Sequence, residues 1–255
     1  MAKGRFVWYE LMTSDMAGAA AFYASVVGWQ AQDAGMAGMA YTIFNVGGTG
    51  AAGLMEVPEE ARKMGAQPAW MGYIAVDDVD GYAARTTAAG GALHRPPSDI
   101  PGVGRFAVLG DPQGTGFMLF KPNGEPPQPP PPPNTPGFVG WHELHTTDLA
   151  PAFQFYADMF GWTKDGEMDM KELGIYQMFA VDGTMAGGMM KKMPHEPRPF
   201  WLFYFNVTGI DAAVERIAAA GGKVLHGPVE VPGGSWIVQG LDPQGAMFAL
   251  VGAKG

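Results

Sequence analysis

The chain repeats itself. Phe6-Val-Trp-Tyr-Glu-Leu-Met-Thr-Ser-Asp15 aligns with Val139-Gly-Trp-His-Glu-Leu-His-Thr-Thr-Asp148, so that Trp8 meets Trp141, Glu10 meets Glu143 and Asp15 meets Asp148, each 133 positions on. The same offset carries Phe22-Tyr23 onto Phe155-Tyr156 and Gly28-Trp29 onto Gly161-Trp162. At an offset of 135, Tyr41, Phe44, Val46 and Gly53 find Tyr176, Phe179, Val181 and Gly188. At 131, Trp70, Tyr73, Val76 and Asp80 fall on Trp201, Tyr204, Val207 and Asp211, and Asp111-Pro-Gln-Gly114 falls on Asp242-Pro-Gln-Gly245. Small changes of offset are loop insertions, and an ordered match of this length is duplication. Such a chain folds as two like parts.

What lies between the copies supports the division. The run from Pro122 to Pro136 is dominated by proline, which lacks an amide hydrogen and fixes φ, so neither a helix nor a central strand forms there. It reads as a semi-rigid polyproline II spacer, rather than a proline-recognition segment, because similar sequence flanks it. The expected domains are residues 1–122 and 137–255, joined by the linker 123–136. With 47% hydrophobic residues in 255, each has enough apolar sequence to bury its own core.

The composition narrows the partners. Lys and Arg number 16 against 25 Asp and Glu, with no basic run to track a phosphate backbone, which argues against nucleic acid. No apolar stretch approaches the ~20 residues that cross a bilayer, and Phe6 to Met12 carries Glu10, so neither membrane nor signal segment is expected and a cytoplasmic location follows. There is no cysteine, which removes disulfides and thiolate nucleophiles or metal ligands.

Within each copy the hydrophobic period switches from strand-like to helix-like and back. Trp8, Glu10 and Met12 share one strand face. Asp15 is placed to cap a helix over Met16–Val26, which Gly28 ends. Tyr41–Val46 and Ala51–Met55 read as strands around Gly47-Gly48, Met71–Val76 as a strand and Asp78–Ala89 as a helix closed by Gly90-Gly91. Asp111-Pro-Gln-Gly114 turns the chain into a last strand, Gly116–Phe120. Gly47-Gly48 and Gly102-Val-Gly104 read as turns rather than phosphate cradles, because neither opens a helix.

Trp-x-Glu-Leu-x-Thr-x-Asp at the opening, Phe-Tyr…Gly-Trp after the first helix, Val-x-x-x-Asp into the second and Asp-Pro-Gln-Gly before the last strand, twice over, resemble the vicinal oxygen chelate superfamily of glyoxalases, bleomycin-resistance proteins and dioxygenases. The resemblance covers nearly all of both halves. It implies an α+β fold of two tandem glyoxalase-like domains, each of paired βαβββ units that curl into a half-open β-barrel with flanking helices and hold a small molecule in the concave face. It also implies that the duplicated chain is an internal pseudo-dimer, working as a monomer or a weak homodimer.

Catalytic members of that superfamily place a divalent metal on a His or Gln of the first strand, a His before the second helix and a Glu on the last strand. Carried onto this chain, those positions are Trp8 and Trp141, Met71 and Leu202, and Met118 and Ala249. Indole, thioether and alkyl groups are poor ligands for such cations or none at all. The usual metal is therefore disfavoured and no cofactor is expected. Of the five histidines, His94 and His226 are paired by the repeat, but each follows a glycine-terminated helix and reads as a surface-loop residue.

The chemistry left over lies on the inward strand face. Trp8, Glu10, Met12, Tyr41, Met71, Tyr73 and Met118 in the first half, and Trp141, Tyr176, Leu202 and Tyr204 in the second, are the expected lining for a small, partly hydrophobic or aromatic ligand. Trp70 and Trp201, of opposite parity, are expected in the core. Glu143 and His145 add an acid and an imidazole on one face, the candidate catalytic pair of a lyase, isomerase or hydrolase of small carbonyl compounds, the alternative to a binding protein. The first half has Met12 where the second has His145, so the second is expected to hold the more functional cleft.

Overall fold

The computed structural model describes residues 3–36, 38–124 and 131–255. The polyproline expectation for 125–130 lies outside the described residues. The first half runs β1 (Phe6–Thr13), α1 (Met16–Val26), β2 (Gln30–Asp33), β3 (Thr42–Val46), β4 (Thr49–Glu56), α2 (Glu59–Lys63), β5 (Ala69–Ala75), α3 (Val79–Ala88), β6 (Ala92–Ile100), β7 (Gly104–Gly110) and β8 (Gly116–Pro122). The second runs β9 (Val139–Thr146), α4 (Leu149–Phe160), β10 (Thr163–Asp169), β11 (Ile175–Val181), β12 (Thr184–Lys191), β13 (Phe200–Gly209), α5 (Ile210–Ala219), β14 (Lys223–Glu230), β15 (Trp236–Leu241) and β16 (Met247–Ala253).

Among the described residues these strands form two eight-stranded mixed sheets, ordered β2-β3-β4-β1-β5-β8-β7-β6 and β10-β11-β12-β9-β13-β16-β15-β14. In every quarter of the chain the first strand lies parallel to the fourth, as β1 to β4, β5 to β8, β9 to β12 and β13 to β16. Those are the expected βαβββ units, and the fold is α+β, with two sheets of like topology in tandem. Neither sheet closes, because β2, β6, β10 and β14 are edges.

Local chemistry sets most boundaries where the sequence puts them. The Asp15 carboxylate accepts from the Gly18 amide at 3.0 Å and starts α1, and Asp78 does the same for α3 through Gly81 at 3.1 Å. The sequence reading omits β2, β6 and β7 and their counterparts. In β6, Pro96-Pro97 argues against a strand, yet the strand is an edge and its register shifts between Arg95 and Ser98, so the missing amides cost no ladder bond. As a result His94 and His226 sit on β6 and β14 rather than in loops, though exposed as expected.

The contacts divide the chain into two compact units that cut across the halves. One draws on Met1–Val7, Met71–Pro130 and Trp141–Trp201, the other on Trp8–Trp70, Pro131–Gly140 and Leu202–Gly255. Each unit thus joins a βαβββ module from one half to a module from the other. In the first unit Trp201 Nε1 donates to the Tyr156 hydroxyl at 3.1 Å, which donates to Asp111 Oδ2 at 3.1 Å. In the second, Trp70 donates to the Tyr23 hydroxyl at 2.8 Å and Tyr23 to Asp242 Oδ2 at 3.2 Å. The repeated Phe-Tyr, Asp-Pro-Gln-Gly and Trp70/Trp201 motifs are these buried relays, and both tryptophans are in the core as expected. Burial, with the neighbouring aspartate next, holds both tyrosine hydroxyls well above their ordinary pKa.

Candidate functional site

A second relay repeats on the first strand of each half, and it contains the residues singled out by strand alternation. In the unit holding β1 to β4, Trp8 Nε1 donates to the Tyr41 hydroxyl at 3.0 Å, and Tyr41 hydrogen-bonds to Glu10. In the unit holding β9 to β12, Trp141 Nε1 donates to the Tyr176 hydroxyl at 2.7 Å and Tyr176 donates to Glu143 Oε2 at 2.8 Å. Burial and then the carboxylate keep both tyrosines protonated, far above the usual phenol range.

Glycine makes this geometry. Glu10 stands beside Gly53 in the β1–β4 register, and Glu143 beside Gly188 in β9–β12. A Cβ on Gly53 would fall on the Tyr41 hydroxyl, and one on Gly188 on the Tyr176 ring. The bare backbone lets the ring cross the strand and reach the acid on the far side.

In the second half the relay continues to a histidine. His145, two residues past Glu143 on the same face, brings Nε2 to 2.9 Å from Glu143 Oε1. Its Nδ1 lies 3.0 Å from Oε2 and 2.9 Å from Oε1 of Glu196. Phe200 stacks on the imidazole at 4.5 Å. All three charged side chains are buried. Burial pulls the His145 pKa down, but the hydrogen bonds and charges of Glu143 and Glu196 outweigh it and raise it to about 9. Burial opposes ionisation of Glu196 too, yet the His145 contact and the Met193 amide at 2.6 Å leave its carboxyl below the usual range.

Glu196 escaped the sequence reading. It lies 51 residues beyond His145, in the loop from Lys192 to Pro199, and has no partner in the repeat. The corresponding connection of the first half, residues 57–68, carries Glu59 and Glu60, but both are exposed on α2 and paired with Lys63, and Met12 replaces the imidazole. The first half thus has neither the imidazole nor the loop acid of the second.

The other expected lining residues divide between the units. Tyr73 and Met118 are register neighbours on β5 and β8, where Tyr73 packs on Phe106 and Phe120 and Met71 reaches over Gly116. Leu202 and Tyr204 lie on β13 in the unit of Trp8, Tyr204 beside Ala249, and the Tyr204 hydroxyl accepts from Gln239 at 2.7 Å. Surface depressions lined by Asn134, Asn206 and Ser235 in one unit, and by Asp111, Gln113 and Phe155 in the other, include none of these residues.

Comparison with known proteins gives the family. The model of the Glyoxalase/Bleomycin resistance protein/Dioxygenase superfamily matches residues 5–119 and again 139–250. The chain belongs to that superfamily. Among its relatives is the glyoxylase-named protein CFP32 of Mycobacterium bovis, 32% identical over 247 residues, with 96% of this chain and 93% of the relative covered. Another is the anthracycline biosynthesis protein DauV of Streptomyces sp. strain C5, 31% identical over 263 residues, with 98% of this chain and 94% of the relative covered. The fold is also that of the Mn(II)-bound glyoxalase from Novosphingobium aromaticivorans, with a TM-score of 0.66 at 16% identity over 100% of this chain and 83% of that one.

Residues at the superfamily's metal positions in this chain do not suit a divalent ion. The Trp8 and Trp141 ring nitrogens are hydrogen-bond donors to tyrosines, Met71 and Met118 offer thioethers, and Leu202 and Ala249 offer only carbon. Among the described residues no group of three or more His, Asp or Glu side chains has an arrangement that could hold a metal ion. His145 is not an exception, since both of its ring nitrogens face carboxylates rather than a vacant coordination point.

Proposed function

We propose that this superfamily member binds a small, partly hydrophobic or aromatic molecule without the usual divalent metal, and that the Trp141, Tyr176, Glu143 and His145 wall of the second half is its principal recognition surface. The observation that carries the reading is the donor set. Where metal-using members need lone pairs, this chain presents indole N–H groups, thioethers and alkyl side chains. Aromatic walls with few polar groups suit a flat, largely apolar ligand. The kinship with an anthracycline biosynthesis protein makes fused-ring aromatics the first class to test.

The enzymatic alternative needs a base at Glu143 or His145. An imidazole held between two carboxylates is already protonated at neutral pH and has no lone pair to offer. That argues against His145 as the base and leaves the alternative resting on Glu143, which already accepts from Tyr176 and His145.

The test is thermal melting of untagged protein against a panel of naphthalene and anthraquinone derivatives, with and without a chelator. A ligand at 100 times its Kd should stabilise by about 2.7 kcal/mol, undiminished by chelator. Near-stoichiometric Mn, Fe, Ni or Zn in the purified protein, lost in Glu143→Ala and His145→Ala, would overturn the metal-free reading.

A further inference from the structure

Glu196 reaches the wall from outside the repeated strands, and the surrounding chain is built to hold it. Pro194, Pro197 and Pro199 stiffen its loop. The Met193 amide donates to one carboxylate oxygen, and Lys192 Nζ donates to the Glu196 carbonyl. Phe200, directly after the loop, fixes the plane of the imidazole it serves.

The geometry around His145 determines its charge. A neutral imidazole donates from one nitrogen and carries a lone pair on the other. With a carboxylate oxygen 2.9 Å from Nε2 and others at 2.9 and 3.0 Å from Nδ1, a neutral ring would turn that lone pair against an anion. Two N–H groups, and so an imidazolium, satisfy both sides. The groups facing it are Glu143 on β9, Glu196, Lys192 and His195 in the loop, and Tyr176 through Glu143. Tyr176 stays neutral and Lys192 is spent on a carbonyl, which leaves the two carboxylates as the charges that decide the protonation of the ring.

Resting on the proposed reading that this wall meets the ligand, we propose that Glu196 is a positioning residue that keeps His145 charged and its Nε2–H given to the Glu143 carboxylate, so that the site takes aromatic ligands whose polar edge brings its own hydrogen, a phenol, alcohol or ammonium, and rejects aromatic carboxylates. An ionised carboxylate accepts hydrogen bonds and cannot donate. With the imidazolium committed to two acids, the wall has no proton to spare for an anionic ligand.

Three probes on one ring system separate the parts: 2-naphthol, 2-methoxynaphthalene and 2-naphthoate, measured by calorimetry on the full chain, beside NMR titration of the His145 ring nitrogens. In the wild type, 2-naphthol should bind about tenfold or more tighter than either other probe, the worth of one hydrogen bond to a charged group. His145 should remain protonated from about pH 6 to about pH 8, whereas in Glu196→Gln it should titrate within that window and make 2-naphthol affinity pH-dependent. A role confined to tying down the loop would lower the melting temperature of Glu196→Gln but leave both the titration and the pH-independence of binding unchanged, which would overturn the proposal. Equal binding of naphthol and methoxynaphthalene, or preference for naphthoate, would also overturn it. Should no probe bind, the proposed function fails instead, and a wild-type His145 that titrates like a free histidine would then refute the role of Glu196 independently.

Discussion

At the scale of residues, the wall depends on what is missing as much as on what is present. Gly188 has no side chain, and so the Tyr176 ring occupies the space where a methyl would stand and reaches Glu143. Gly188→Ala should displace the ring and break the relay at a cost of about 1–3 kcal/mol, as overpacking does, read as a lower denaturant midpoint. His145 gives a pH signature. Its folded pKa of about 9 lies above the ordinary value near 6.5, so its contribution to stability is full below about pH 6.5 and is lost as pH rises through about 9. The stability advantage of wild type over His145→Gln in urea should therefore be largest near pH 6 and shrink steadily toward about pH 9.5. Strand alternation made Trp141, Glu143 and His145 legible, because period two places them on one face from sequence alone. Glu196 was not legible, because no local pattern points across 51 residues from a loop to a strand.

Elements show the same contrast between what is local and what is not. The caps of α1 and α3 are written in Asp15 and Asp78, each bonded to an amide three residues on. Asp148 has the same place before α4, yet its side chain makes no capping bond. Gln113 from the Asp-Pro-Gln-Gly turn does the work: its Oε1 accepts from the Asp148 amide at 2.6 Å and the Thr146 hydroxyl at 3.0 Å, and its Nε2 donates to the Asp148 carbonyl at 2.7 Å. The repeat places Gln244 in the matching turn, but its buried Oε1 finds no such donor. Gln113→Ala should accordingly cost more than Gln244→Ala, by about 1 kcal/mol per bond lost, in paired chemical melts. The edge strand β6 was missed for the converse reason: Pro96-Pro97 is a local signal against strand, and only position at the sheet's edge makes it harmless.

For the whole molecule, sheets and compact units follow different boundaries. Each sheet is drawn from one half, while each unit takes a module from both. The repeat predicts the sheets, since strand patterning is local to a copy. It does not predict the exchange, because identical motifs serve equally well within a copy or between copies. Tyr156 to Asp111 and Tyr23 to Asp242 reveal it. Residues 1–122 expressed alone should therefore lack a cooperative unfolding transition as a monomer. Mixing them with residues 137–255 should restore a melting transition near that of the intact chain.

The exchange of modules also governs how the two copies can change over generations. A substitution in the aromatic relay of one copy is felt by the other, since Tyr23 answers to Asp242 and Tyr156 to Asp111, so the cores must drift together or not at all. The sheet linings carry no such mutual obligation. Met12 and His145 stand at one position of the repeat with entirely different chemistry, and a fused gene of this kind is free to specialise one lining while the other copy serves as its permanent scaffold.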